Sequence, residues 1–502
     1  MRILLAGIPA LIHQPLRLAL GTHHDLVPFN GSTLDLTSCE AAANVDVIVH
    51  GIPETSDATG AIEHATRGTW NLLTTTRATR YVQLSSMRMF DAYGLGWQID
   101  ESWAPRPTPG YRQLAPYLAE VASREITRSR QIECFVLRLD DVVAAEVFER
   151  GHEEPESLHI DDAVSAIVAA VNATARTASG DRWSVFNIAR GGPGSRYPVG
   201  RARPDPLLWK AANQASKSVE THPSKPVWPI EPSPVTGLPR PARIAILGAG
   251  GPLGAATAQV LERDHVLRLS DYRALAEIAT LPPQSEGAPL PEVPNAPHEE
   301  VRVDVTHGGA VRHIAQNMDA IVNCTVIRND PVEAFRVNTL GALNVMQAAV
   351  EAGIRRVVHT GPVLTLAPHP AGYNDDRAVQ STAPPRPGDS LYFVSKLLGQ
   401  EICRVFAEHH EIACPTLLFS GFVDPETARR RGDVPGPFTI SWNDAGRAIA
   451  AAVTLEHLPE PFPVMHILAD APHDRFTNSA ARSILGWTPL DRLDALWWRQ
   501  PE

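Results

Sequence analysis

The chain has no apolar run near the roughly 18 residues that cross a bilayer, which argues against a membrane-spanning helix. It also has no run of Lys and Arg longer than three residues, and a net charge of -11 makes nucleic acid or an anionic membrane an unfavourable partner. Cysteine is scarce and never paired in a CxxC. Cys39, Cys134, Cys324, Cys403 and Cys414 therefore read as free thiols in a reducing, cytoplasmic setting, not as disulfides or zinc ligands. His409, His410 and Cys414 fall close together, but a helix end followed by a buried strand accounts for them without a metal. The opening Met1-Arg-Ile-Leu-Leu-Ala6 is followed by Pro9, His13 and Pro15, and so reads as a first strand, not a signal peptide. What remains is ordinary globular composition over 502 residues, long enough for roughly two to four domains.

The most informative stretch is Arg243-Ile-Ala-Ile-Leu-Gly248-Ala-Gly250-Gly251-Pro-Leu-Gly254, running on to Leu269-Ser-Asp271. It predicts a short strand, a glycine turn, a helix and a second strand ending in an acid. That order of elements is what gives the glycine pattern its weight. Gly248 would allow the tight turn, Gly251 would let the backbone approach a pyrophosphate at the helix N-terminus, and Gly254 would let helix and strand pack closely. Asp271 is placed to accept hydrogen bonds from an adenosine ribose. The alternative, a tight turn serving packing alone, would need the glycines but not the acid.

The chain also repeats itself. Arg2-Ile-Leu-Leu-Ala-Gly7 matches Arg243-Ile-Ala-Ile-Leu-Gly248, Asp46-Val-Ile-Val-His50 matches Asp319-Ala-Ile-Val-Asn323, and Arg80-Tyr-Val-Gln-Leu-Ser85 matches Arg356-Val-Val-His-Thr-Gly361. Further on, Ala104-Pro-Arg-Pro107 answers Ala383-Pro-Pro-Arg-Pro387, and Tyr117-Leu-Ala-Glu-Val121 answers Tyr392-Phe-Val-Ser-Lys396. Each copy alternates β-branched runs with helical stretches, the pattern of a parallel sheet covered on both faces. The sequence thus predicts an α/β protein of two tandem Rossmann-type, doubly wound parallel-sheet domains, the first degenerate. The domains are 1–190 and 241–502, joined by a Pro/Gly-rich linker at 191–240. A Pro-rich insertion at 272–300 occurs only in the second copy and is expected to form a surface loop. The first copy has too few residues after Asn30 for that crossover, so its sheet should be one strand short.

On these motifs the second copy resembles the extended short-chain dehydrogenase/reductase family, the NAD-dependent epimerases and dehydratases. The matching features are the glycine turn, Asp304 after the third strand, Asn338 before Gly341, Tyr392 with Lys396, and Leu485-Gly-Trp-Thr-Pro489. Leu267-Arg-Leu-Ser-Asp271, Arg386-Pro-Gly-Asp-Ser-Leu-Tyr392 and Phe438-Thr-Ile-Ser-Trp442 are most like its uronate dehydrogenase branch. The resemblance implies that Gly248, Gly251, Gly254, Asp271, Asp304 and Lys396 hold NAD, with NADP disfavoured by the charge of Asp271 although Arg273 is near. It also implies that Tyr392 is the acid/base at a substrate hydroxyl or carbonyl. Lys396, one helical turn on, would favour the phenolate.

One departure stands out. Pro362 falls where the family has a serine or threonine that polarises the substrate oxygen, leaving Thr360, on the same strand face, as the candidate substitute. The first copy keeps Ser85-Ser86 there and Tyr117 for the tyrosine, but has Ala10 and His13 for two glycines, Asn30 for the acid, Ala65 for the asparagine and Val121 for the lysine. Two functions are therefore open. One is an NAD-dependent oxidoreductase or epimerase acting on a sugar-like or other polar small molecule. The other is a catalytically impaired dinucleotide-binding sensor or scaffold. Members of the family usually dimerise through the tyrosine-bearing helix, and both copies carry an apolar stripe there, including Leu118 and Ile126 in one and Leu398 and Ile402 in the other. The first copy is thus expected to replace a second subunit, giving a monomer that is an intramolecular pseudo-dimer.

Overall fold

The computed structural model describes residues 1–29, 31–55, 57–94, 96–149, 157–173, 182–191, 195–198, 237–364, 376–436, 438–470 and 475–496. The chain divides into two compact units, Met1–Trp228 and Pro229–Glu502. Most of the expected linker, and Asn30, lie outside the described residues.

The first unit is built on six parallel strands, β1 (Arg2–Ala6), β2 (Asp25–Val27), β3 (Val47–His50), β4 (Arg80–Ser86), β5 (Glu133–Leu139) and β6 (Trp183–Ile188), in the order β2-β1-β3-β4-β5-β6. The second has seven, β7 (Arg243–Leu247), β8 (Val266–Ser270), β9 (Glu299–Glu300), β10 (Ala320–Asn323), β11 (Arg356–Pro362), β12 (Thr416–Phe419) and β13 (Val464–His466), in the order β9-β8-β7-β10-β11-β12-β13. Parallel strands covered on both faces need apolar residues at successive positions. Accordingly β3 and β10 are buried throughout. The extra strand of the second sheet is its edge strand β9, which has no counterpart among the described residues of the first unit. The segment leading to it is more than a surface loop. It forms a short helix, Leu275–Ile278, whose Leu275 and Ile278 are buried in the core.

The helices that matter for function are α1 (Ala10–Gly21), α2 (Tyr111–Arg130) and α3 (Ile160–Asn172) in the first unit, and α4 (Pro252–Leu261), α5 (Leu391–His409) and α6 (Trp442–Thr454) in the second. The two units repeat their fastenings as well as their topology. The N–H of Arg2 donates to Asp46 Oδ2, and that of Arg243 to Asp319 Oδ2, each at 2.7 Å. Arg80, opening β4, donates to the carbonyls of Val171 (2.6 Å) and Ala173 (2.7 Å) at the end of α3. Arg356, opening β11, does the same to Ala452 (2.8 Å) and Leu455 (2.7 Å) at the end of α6. A guanidinium suits a helix C-terminus, where carbonyls lack partners and the dipole is negative. Arg80 also pairs with Glu133 at 2.7 Å, whereas burial of Arg356 pushes its pKa down to about 10.

Candidate dinucleotide and catalytic site

The glycine turn lies between β7 and α4, and its glycines are required for different reasons. Gly248 has φ +78°, and a Cβ there would lie 2.9 Å from the Cys324 carbonyl carbon. A Cβ on Gly254 would overlap the carbonyl oxygen of Gly248, and one on Gly250 would overlap Ile278. Gly251 differs. It caps α4 at φ -78° and ψ 156°, an ordinary extended conformation, and a Cβ would meet nothing closer than Gly248 O at 3.5 Å. Nothing in the protein demands a glycine at 251, yet it lines the cleft at a helix N-terminus whose free N–H groups favour an anion. Pro252 at the first helical position starts α4 without wasting a donor.

Asp271 closes the turn. Its Oδ2 accepts from the Gly250 N–H at 3.1 Å and its Oδ1 from the Tyr272 N–H at 2.8 Å. Burial raises its pKa, against the lowering effect of those N–H groups. These bonds aim the carboxylate at the turn and leave lone pairs for ribose hydroxyls. Asp304 is exposed and accepts from the Thr306 N–H at 2.9 Å in a tight turn, and neither it nor Asp271 is among the residues that line the cleft.

The cleft beyond the turn is lined by Gly248, Gly251, Thr360, Tyr392 and Lys396 together. Their register is set by Asn338 in a π-helical turn, Phe335–Leu340. Asn338 is buried. Its Oδ1 accepts from the Ile327 N–H at 3.0 Å, and its Nδ2 donates to Ile327 O at 2.7 Å and to Ser395 Oγ at 2.9 Å. Thr339 adds a bond to Ser395 O at 2.9 Å. Gly399 lets α5 come this close, since a Cβ there would overlap Asn338 O. The loop after β10 and the helix carrying Tyr392 and Lys396 are thereby held in one geometry, with the extra helical residue typical of functional π-turns supplying the reach.

Lys396 is 3% exposed, and its Nζ donates to Thr325 O at 3.5 Å. Burial, the largest influence, lowers its pKa to about 8. Tyr392 is pushed up by burial and pulled back by Arg328, whose guanidinium carbon lies 5.2 Å from the ring centroid. Thr360 does line the cleft, but its Oγ1 donates to Asn323 O at 2.9 Å, so its one proton is already used. Pro362 is buried beside Phe419.

Sequence reasoning missed Arg328, Gln284 and an aromatic wall. Phe422 and Trp442 stack at 4.2 Å with planes 5° apart, and Phe419 lies against Phe422. All three line the cleft, and the Trp442 indole N–H is buried without a partner among the described residues. A glycine in α6 brings the wall there: a Cβ on Gly446 would lie 2.6 Å from Ala256 O, so α6 crosses α4 nearly backbone to backbone.

The first unit corrects one expectation. Ser85 pairs with Arg138 in the sheet, and Gly361 pairs with Leu418. Glu120 on α2 faces that point, accepting from Ser85 Oγ at 2.7 Å and from Arg138 at 2.7 and 2.9 Å; on α5 the residue facing it is Gln400. Counting back one and two turns from these anchors, Pro116 stands for Lys396 and Arg112 for Tyr392. Tyr117 is therefore not the counterpart of the tyrosine, nor Val121 of the lysine. Tyr117 packs against a separate cluster containing Met87, Phe90, Tyr93 and Trp103, while Arg112 and Pro116 line the first unit's cleft beside Ser86. The glycine turn survives there in Gly7, at φ +61°, but α1 is capped by Pro9.

The fold of the second unit is that of a parallel-sheet, Rossmann-type domain. Residues 244–430 match the model of the NAD dependent epimerase/dehydratase family. The chain is 27% identical over 203 residues to an L-arabinose 1-dehydrogenase (NAD(P)(+)) of Haloferax volcanii, covering 38% of this chain and 72% of that protein. It is 23% identical over 265 residues to an NAD-dependent glucose-6-phosphate dehydrogenase of the same organism, covering 49% and 93%. Solved structures that resemble it include glucuronic acid dehydrogenase from Chromohalobacter salexigens (24% identity, TM-score 0.40, covering 51% of this chain and 86% of that one). Uronate dehydrogenase from Agrobacterium tumefaciens is another (22%, 0.39, 52% and 91%). Among the described residues no helix is long and apolar enough to cross a membrane, and no cluster of side chains could hold a metal.

Proposed function

We propose that the second unit is an NAD-dependent oxidoreductase acting on a hydroxyl or carbonyl of a sugar, with Tyr392 as acid/base. The observation that carries this reading is the convergence on one cleft of a glycine the fold does not need, at an anion-binding helix end, with a half-buried tyrosine and a buried lysine one turn apart. The residues present fit the cofactor. Gly251 and the first N–H groups of α4 would hold the pyrophosphate, Asp271 the adenosine ribose, and Lys396 the second ribose. When bound there, NAD would supply a two-electron acceptor for the hydride of the carbinol carbon.

The chain's own residues handle the proton. Tyr392 takes it from the substrate hydroxyl and returns it when the reaction runs in reverse. Lys396 and Arg328 keep two cations near that oxygen, which lowers the cost of the phenolate. Phe422 and Trp442 offer a flat apolar face suited to the C–H face of a pyranose, with an indole N–H free to bond a hydroxyl. The similarity to dehydrogenases of arabinose, glucose 6-phosphate and uronates supports a sugar as substrate. The test is a panel of aldoses, sugar phosphates and uronates with NAD and with NADP, read as reduced nicotinamide. Reduction with one sugar class and tighter binding of NAD than NADP is expected. Tight NAD binding with no reduction by any of them would favour a sensor and overturn the enzyme reading.

A further inference from the structure

We propose that Arg328 does the work of the missing strand-end hydroxyl, donating to the substrate oxygen beside Tyr392. The proposal rests on the oxidoreductase reading above.

Three independent features of the site lead to it. The strand end has no donor to spare: Pro362 has none, Gly361 has no side chain, and the Thr360 hydroxyl is bonded to Asn323 O at 2.9 Å. A reaction that develops negative charge on an oxygen needs a donor aimed at that position. Arg328 is available to supply it. It lines the cleft, lies over the Tyr392 ring with its guanidinium carbon 5.2 Å from the centroid, and has no carboxylate partner among the described residues. Its place is also fixed. The residue before it, Ile327, is held through both its N–H and its C=O by buried Asn338, the side chain that also ties down α5 at Ser395. One amide thus sets the distance between the tyrosine and the arginine.

The chemistry balances without a further reactant. On oxidation the hydroxyl proton passes to Tyr392 and the guanidinium bears the oxygen's transient charge until the carbonyl forms. On reduction it polarises the carbonyl. A planar guanidinium has N–H groups for both the tyrosine oxygen and the substrate oxygen, whereas a serine has a single proton.

The charged group acting on Tyr392 is Arg328, from the loop after β10; Lys396, on the tyrosine's own helix, lines the same cleft. Cys324, buried beside Lys396, has its thiol pushed up to about 12 and stays neutral, and no carboxylate lines the cleft among the described residues. Removing Arg328 should therefore move the tyrosine's titration upward. Loss of an opposite charge at such a distance is worth about one unit or more.

The test compares wild type with Arg328→Gln, Arg328→Lys and Thr360→Val, using NAD binding, steady-state kinetics against pH, and tyrosinate absorbance with the Tyr392→Phe spectrum subtracted. Arg328 is exposed, so the variants should fold. Arg328→Gln is expected to lower kcat about 100-fold, leave NAD affinity unchanged, and raise both the basic limb of the pH profile and the tyrosinate titration. Arg328→Lys should recover part of each, and Thr360→Val should stay within about threefold of wild type. The proposal is overturned if Arg328→Gln raises only KM for an anionic sugar, which would make it a charge reader, or if Thr360→Val costs as much turnover. Should no sugar be turned over by wild type, the oxidoreductase reading fails on its own. In that case an unshifted tyrosinate titration in Arg328→Gln overturns the Arg328 assignment as well.

Discussion

Gly251→Asp should abolish NAD binding and leave the protein as stable as before, or slightly more so. The usual objection to such a variant, that an invading side chain disrupts the fold, does not apply here. The position already has the extended backbone that aspartate adopts as a helix cap, and a Cβ would make only an ordinary 3.5 Å contact. Aspartate is a preferred cap where glycine is a mediocre one, and its charge suits the positive end of α4. Together these are worth a few tenths to about 1 kcal/mol in favour of the folded state. The same carboxylate would occupy the pyrophosphate position and repel it at close range. A loss of at least 100-fold in affinity, roughly 3 kcal/mol, is expected. Gly254→Ala should behave in the opposite way. Its Cβ would be driven into the backbone of Gly248, so Tm should fall by several degrees and binding should fail with it. Isothermal titration with NAD and a thermal melt on both variants decide the matter. Unchanged NAD affinity in Gly251→Asp would mean that the turn is only a packing device.

The glycine turn is legible in the sequence because its signals are backbone signals. Gly248 is needed for a positive φ, Gly254 for a close approach, and Asp271, directly after β8, accepts from the Gly250 N–H of the turn. The parallel sheets were legible for a similar reason, since strands covered on both faces leave unbroken apolar runs such as Val47–His50. Neither argument reaches Arg328. It lies in a loop with no period, and its role depends on a distance fixed by Asn338 from another part of the chain. Thr360 shares a strand face with the expected serine position, but a sequence does not show that the neighbouring strand's Asn323 carbonyl accepts its hydrogen bond. Tyr117 misled because Tyr-Leu-Ala-Glu-Val resembles the tyrosine-lysine segment, while a helix's register is set by what it packs on. In the first unit that anchor is the buried Glu120–Arg138 pair, joined by Ser85, where the second unit has Gln400, Leu418 and Gly361. An ion pair 3% and 5% exposed is costly to bury, so it marks the first unit as a packed structure with its own polar core and not a loosened copy of the second.

Lys396→Met and Tyr392→Phe should separate the cost of the site from its use. Lys396 is almost fully buried, and burial holds its pKa near 8, below the ordinary lysine value of about 10.4. Between those two values the unfolded chain binds more protons than the folded one, so stability rises with pH across that window. Below about pH 8 the folded state bears the full cost of a buried ammonium, on the order of 3 kcal/mol. Methionine, nearly the same shape and uncharged, removes that cost. Lys396→Met is therefore expected to raise Tm at pH 7 by several degrees, with the advantage over wild type shrinking from pH 8 upward and nearly gone by pH 10.5. Turnover should drop at least 100-fold in the same variant, because the phenolate loses a cation and the cofactor loses a ribose contact. Tyr392→Phe should lose turnover by about 100- to 10,000-fold while NAD affinity and Tm stay near wild type, since the tyrosine is neutral in the resting site and only its hydroxyl is removed. Melts from pH 6 to 10.5 alongside kinetics provide both readings. A lysine whose removal destabilises the protein at pH 7, with the same pH slope as wild type, would be a structural lysine, and the catalytic assignment would then have to rest on Tyr392 alone.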